Sequence, residues 1–233
     1  RVEAVKVISR SNYVGASGSW GGGRGAATWG SGTTGVIGVV SDANSLVGAA
    51  GGNQVGANGA CALTNGNYVV RSANWDNGAA ANAGAATWGD GTTGVSGVVS
   101  PANSLVGSTA GDAVGGNVVA LSNGNYAVAS TVWDDGGVLN AGAVTWGSGT
   151  GGVAGVVSAA NSLVGSTSSD QVGTGVTALT GGNYVVNSQF WDNGAITNAG
   201  AVTWGDGTTG VSGAVSAANS LVGSTNSDFI GNL

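Results

Sequence analysis

The sequence predicts an all-β protein, a β-propeller built from four near-identical, four-stranded blades of about 58 residues each. The first observation is that Thr-Trp-Gly recurs at spacings of 59, 58 and 58 residues. The second is that a tyrosine and the run Asn-Ser-Leu recur in the same phase, so whole units repeat. Repetition at this period indicates stacked supersecondary units that bury their apolar faces against each other. The recurring tryptophans are Trp29, Trp88, Trp146 and Trp204.

The repeats define one domain over residues 1–233, with blades at approximately 1–56, 57–115, 116–173 and 174–233. In the fourth unit, β-rich runs fall at 176–179, 184–188, 200–204, 211–216 and 220–223. Gly/Asn turns separate the first two runs, as in a β-hairpin. Repeated four-stranded sheets are typical of a propeller, which leaves only short, protected sheet edges. A β-solenoid is the alternative.

Composition excludes several classes of function. The chain has 48 glycines, no histidine, no methionine, one cysteine and 7% charged residues. His-based catalysis, Cys–His nucleophiles and His metal sites are therefore excluded, and we expect no enzyme. The neighbouring carboxylates Asp134 and Asp135 are read as turn residues rather than a hydrolytic pair.

Net charge and hydropathy indicate which classes of partner and which cellular locations are disfavoured. The net charge is −6, and the chain has a single lysine, so no basic stripe is present to bind nucleic acid. No apolar run reaches the roughly 18 to 20 residues needed to cross a bilayer, and the first residues lack the apolar core of a signal peptide. Acidity and Gly/Ser/Thr/Asn richness favour a secreted or cell-surface protein, with no membrane insertion.

Two families of tryptophan are expected to have different roles. The tryptophans of Thr-Trp-Gly end an alternating strand and are predicted to pack between blades. The second family lies in long loops, each beside an aspartate, and could stack on a sugar ring while the carboxylate binds hydroxyls. The alternative is a tryptophan that covers its own blade above a turn. These candidate ligand-binding residues are Trp75, Asp76, Trp133, Asp134, Trp191 and Asp192.

The order of motifs within each unit resembles the FG-GAP repeat of integrin-α-like β-propellers. Asp112-Ala-Val-Gly115 and Asp170-Gln-Val-Gly173 stand at the Asp-x-Phe-Gly start, and Gly142-Ala-Val-Thr-Trp146 at the aromatic-ending strand. The units also resemble Gly-rich tandem repeats of large bacterial surface proteins of unknown function. Either resemblance implies adhesion or surface display.

The first hairpin lacks the Asp-rich calcium loop that FG-GAP repeats often carry, so no calcium site is carried over to it. No cofactor is expected, although the three loop aspartates leave a calcium-stabilised variant open.

Two functions follow as expectations. The leading one is a non-catalytic structural or interaction module of a secreted or surface bacterial protein, used for display, adhesion or self-assembly. Its expected partners are itself, through a homo-oligomer or ring completion, and glycans or surface proteins. The alternative is a multivalent lectin that uses the Trp-Asp loops.

Overall fold

The computed structural model describes residues 3–8 and 12–232. Arg1 and Arg10, two of the four basic residues of the first unit, lie outside them. It is an all-β structure of four repeats, as predicted. The first repeat contains β1 (Ala4–Val7), β2 (Tyr13–Ser17), the short helical segment α1 (Trp20–Gly23), β3 (Ala26–Gly30) and β4 (Leu46–Val47). The second contains β5 (Ala60–Ala62), β6 (Tyr68–Ser72), β7 (Ala85–Gly89), β8 (Gly97–Val98) and β9 (Leu105–Val106).

The third and fourth repeats follow the second. The third contains β10 (Asn117–Ala120), β11 (Tyr126–Ser130), β12 (Ala143–Gly147), β13 (Gly155–Val156) and β14 (Ser162–Val164). The fourth contains β15 (Gly175–Ala178), β16 (Tyr184–Ser188), β17 (Ala201–Gly205), β18 (Gly213–Ala214) and β19 (Ser220–Val222). Across the described part of the chain, no helix is long and apolar enough to cross a membrane.

Each repeat forms one sheet of four antiparallel strands, and each of the first three sheets takes a fifth strand from the following repeat. The sheet orders are β1-β2-β3-β4-β8, β5-β6-β7-β9-β13, β10-β11-β12-β14-β18 and β15-β16-β17-β19. The fifth strand of the first three sheets comes from the following repeat and pairs in parallel, as Leu163 with Gly213 and Val164 with Ala214. The sequence predicted the antiparallel strands but not this parallel link, because a two-residue strand has no periodicity to read.

The two most regular sequence motifs meet across one strand pair. Thr145 of Thr-Trp-Gly and Ser162 of Asn-Ser-Leu are paired in register, and their hydroxyl oxygens lie 2.7 Å apart. Both side chains are fully buried, and because the Ser162 hydroxyl donates to Oδ1 of Asn161, it accepts the hydrogen bond of the Thr145 hydroxyl. The preceding Asn161 closes the turn, because its Oδ1 accepts the N–H of Ser158 and its Nδ2 donates to the carbonyl of Val156, both at 2.9 Å.

The glycine of Thr-Trp-Gly makes room for the recurring tyrosine. Tyr126 and Gly147 are partners in the antiparallel register, and the tyrosine ring covers the glycine. A Cβ added to Gly147 would lie 2.2 Å from Cζ of Tyr126, so no other residue fits there without displacing the ring. The same pairing occurs in the other repeats, between Tyr13 and Gly30, Tyr68 and Gly89, and Tyr184 and Gly205.

The hydrophobic cores lie between repeats rather than within them. Each of the three core clusters takes one set of side chains from one repeat and a different set from the next. We call the first set the forward face and the second the rear face. The forward face of the second repeat comprises Leu63, Val69, Ala86, Trp88 and Leu105. The rear face of the third repeat comprises Tyr126, Val128, Trp133, Val153 and Val157.

Candidate functional site

The structure places the loop tryptophans in the cores. Trp75, Trp133 and Trp191 are 4%, 2% and 3% exposed, and each belongs to the rear face of its repeat. Their indole Nε1 atoms have no hydrogen-bond partner among the described protein atoms. In this conformation the rings therefore offer no open face on which a sugar could stack.

The loop aspartates next to these tryptophans bind their own loops. Oδ1 of Asp134 accepts the backbone N–H of Asn140 at 2.6 Å, and Asn140 has a positive φ of 51°. Asp76 and Asp192 make the same bond to Asn82 and Asn198. Each carboxylate thus fixes a residue in the left-handed region, which is a turn role.

A second set of carboxylates, Asp112 and Asp170, binds the backbone of the loops that carry Trp133 and Trp191. Oδ1 of Asp112 accepts the N–H of Asp134 at 3.1 Å, and its Oδ2 accepts the N–H groups of Ser108 and Thr109, both at 2.8 Å. Asp112 is fully buried, and desolvation raises the pKa of its carboxyl group above the ordinary value. Asp170 makes the equivalent contacts to Ser166, Thr167 and Asp192.

Three of the four tryptophans of Thr-Trp-Gly join one repeat to the next, as predicted. The indole Nε1 of Trp88 donates to the carbonyl oxygen of Gly149 at 3.0 Å, and Nδ2 of Asn65 and of Asn67 donate to the same oxygen at 2.8 and 2.7 Å. The indole also rests on Gly152, where an added Cβ would lie 2.6 Å from Cβ of Trp88. Trp29 and Trp146 bind the matching carbonyls of Gly91 and Gly207.

The fourth member of this family lies on an uncovered face. Trp204 is 53% exposed and Leu221 is 70% exposed, whereas Leu46, Leu105 and Leu163 at the position of Leu221 are fully buried. Leu179 is also exposed, and Val185 and Val202 are half-buried. These five residues are the forward face of the fourth repeat, by their match to the forward face of the second.

The rear face of the first repeat is uncovered as well. Its members Tyr13, Gly15, Val36 and Val40 line an open cavity of about 270 Å³, together with Thr28, Ile37, Gly38 and Asn44. Val99, Val157 and Val215, which match Val40, are buried. Gly35, which matches Gly152, has no atom within 4 Å of an added Cβ, so no tryptophan rests on it.

The comparison with protein families agrees with the repeat architecture. The family described as "Repeat of unknown function (DUF5650)" matches four times, over residues 7–57, 62–116, 120–174 and 178–232. The chain belongs to the DUF5650 repeat family. This supports the prediction of tandem repeats, but not the FG-GAP family in particular. No curated protein matches the chain.

Sequence reasoning identified the tryptophans but missed the two uncovered faces. What the sequence does not give is the pairing of Trp88 with Gly149, since 61 residues separate them and glycine is abundant.

Proposed function

We propose that this chain is a non-catalytic structural and interaction module, built to join repeats into a rigid array for display, adhesion or self-assembly at a bacterial surface or outside the cell. The proposal rests on one observation: the buried apolar side chains and the tryptophan and asparagine donors make their contacts with the neighbouring repeat, as Trp88 does with Gly149.

Three of the aspartates are poorly suited to act as a general acid. A general acid requires a carboxyl group whose pKa is raised and which substrate can reach. Hydrogen bonds from Thr92 and Thr208 hold the pKa values of Asp90 and Asp206 below the usual range. Asp112 has a raised pKa but is fully buried. Over residues 3–8 and 12–232, no three His, Cys, Asp or Glu side chains form a group that could hold a metal ion.

The propeller architecture is the finer part of this proposal. Antiparallel sheets lie side by side, and the first strands of successive repeats contact one another, β1 with β5, β5 with β10 and β10 with β15. A ring would need further repeats on the uncovered faces at Trp204 and Tyr13, because these four repeats leave both faces open.

The lectin hypothesis is the second proposal, and it would require the buried rings of Trp75, Trp133 and Trp191 to leave the cores. A glycan array tests it directly, with wild type and Trp133→Phe as the matched pair. Glycan binding by wild type that Trp133→Phe weakens, with the fold retained, would favour the lectin over the structural module.

Native-state hydrogen exchange of the full chain tests the structural module. Because the cores are shared, we expect the central strands β6, β7, β11 and β12 to exchange through one common opening. Trp88→Ala should raise exchange in the second and third repeats together. Repeats that open independently would contradict the proposal.

Addition of a chelator should leave the melting temperature unchanged, since Asp76, Asp134 and Asp192 bind backbone N–H groups.

A further inference from the structure

We infer that the forward face of the fourth repeat binds the rear face of the first repeat of a second copy of this chain, head to tail. This inference rests on the proposed function and names the partner and surface through which the module interacts. The three internal junctions serve as templates, because their apolar packing, their tryptophan donor and their parallel strand pairing all have unfilled counterparts on these two faces.

The apolar parts of the two faces match. At an internal junction, Leu105 and Val69 pack against Tyr126 and Val157 of the next repeat. On the uncovered forward face, Leu221 and Val185 occupy the positions of Leu105 and Val69. The cavity of about 270 Å³ beside Tyr13 and Val40 is the matching space on the first repeat. Burial of Trp204, Leu179 and Leu221 would stabilise the complex by the hydrophobic effect.

Two of the three polar donors of an internal junction also have counterparts, whereas Gly181 replaces the third donor, Asn65 or Asn123. Trp204 stands where Trp88 and Trp146 donate to Gly149 and Gly207, and Asn183 stands where Asn67 and Asn125 donate to the same two carbonyls. The equivalent acceptor on the first repeat is the carbonyl oxygen of Gly32, in an exposed turn. In the complex, the indole ring of Trp204 would therefore lie against Gly35 of the second copy. The indole N–H would donate to the carbonyl oxygen of Gly32 of that copy.

The sheet edges match in register. At the last internal junction, Leu163 and Val164 pair in parallel with Gly213 and Ala214, and the N–H of Val215 donates to the carbonyl of Val164 at 3.0 Å. The equivalent edge of β19 is Leu221–Val222, and the equivalent segment of the first repeat is 38–40. An edge strand of this kind is a template for another chain.

The charges of the two terminal repeats are opposite. Residues 1–56 carry four basic and two acidic side chains, whereas residues 174–233 carry three aspartates and no lysine or arginine. Approach of the fourth repeat to the first repeat of another copy is therefore favoured, and fourth-to-fourth contact is disfavoured. A head-to-tail interface closes into a ring or continues as a filament, depending on the rotation between copies.

The experiment blocks one face at a time in the full chain and measures mass against concentration by analytical ultracentrifugation. Leu221→Lys blocks the forward face, and Val36→Lys blocks the rear face. Leu139→Lys is the matched control, since Leu139 is an exposed apolar residue (56%) on neither face. Wild type and the control should self-associate, and each blocked variant should associate at least about tenfold more weakly.

Mixing the two blocked variants identifies the geometry. Each retains one free face, so an equimolar mixture should form a species of two chains while each variant alone stays monomeric. Trp204→Ala provides a second forward-face variant should Leu221→Lys impair folding, which circular dichroism would reveal. Monomeric wild type, or a blocked pair that does not combine, would overturn the inference. A monomer that still opens as one unit in hydrogen exchange would overturn this inference alone and leave the proposed function standing.

Discussion

The indole N–H of Trp88 lies 3.0 Å from the carbonyl oxygen of Gly149, a residue of the next repeat that sits in a tight turn. The turn has no space for a side chain, because a Cβ on Gly149 would lie 1.8 Å from the carbonyl oxygen of Gly124. The acceptor of the junction is thus held in place by the close approach of two backbone segments.

Gly149→Ala should therefore destabilise the protein by about 1–3 kcal/mol, since the turn must move and its carbonyl with it. Gly151→Ala is the control, because an added Cβ there meets no atom within 4 Å and the second repeat carries Thr93 at this position. Urea unfolding of both variants measures the difference. Equal stability of the two would contradict the close approach at Gly149.

Trp88→Ala and Trp204→Ala should differ although the two tryptophans occupy the same position in their repeats. Removal of Trp88 leaves the junction without its donor and opens space against Gly152, at a cost of about 2–4 kcal/mol. Trp204 is 53% exposed, so its removal from the monomer should cost less than about 1 kcal/mol. Chemical unfolding at dilute, monomeric concentration provides the test, and a similar loss at both sites would argue that Trp204 is covered.

The buried hydroxyl pair of Thr145 and Ser162 predicts an energetic coupling. Thr145→Val keeps the shape but leaves the Ser162 hydroxyl with Asn161 as its remaining partner, at a cost of about 1–2 kcal/mol. A double-mutant cycle with Ser162→Ala should give a coupling energy of about 0.5–1.5 kcal/mol. Strictly additive effects would mean that the two hydroxyls do not interact.

Asp112 predicts a dependence of stability on pH. Burial raises the pKa of this carboxyl group in the folded protein, so the folded state takes up a proton at a higher pH than the unfolded chain does. The unfavourable contribution of the buried charge is thus present above the folded pKa and is relieved as the pH falls toward the unfolded value.

Wild type should consequently gain stability relative to Asp112→Asn between pH 7 and about pH 4. Unfolding free energies of the two proteins at several pH values measure this difference. Asn53 occupies the same position in the first repeat and is also buried, so asparagine is compatible with the fold there. A difference that is constant with pH, or that shrinks on acidification, would contradict the assignment.

Much of the fold was predictable because regular features repeat in the sequence. The strands around Tyr126 and Trp146 could be placed from the alternating pattern and from the Asn-Gly turn, and both lie in antiparallel strands. The repeat period also predicted that neighbouring units bury their apolar faces against each other, as the three cores do. The individual partners were not predictable, because apolar alternation in a short strand indicates that Val69 is buried but not which residues of the next repeat it meets.

The same limit applies to the candidate site. Trp133 beside Asp134 has the residue types of a sugar-binding pair, and its burial depends on side chains of the preceding repeat such as Val114. The role of Asp112 under that loop is likewise set by a contact 22 residues away. Local sequence patterns contain neither relationship.

The placement of the cores bears on how such an array can change length. The second and third junctions draw on equivalent residues, with Trp88 and Trp146 each 61 residues before their acceptors. Deleting or duplicating the 58 residues of the third repeat therefore brings equivalent partners together again. Copy number in this part of the array can vary through recombination without a compensating substitution, whereas a break at another spacing would leave half of a core exposed to water.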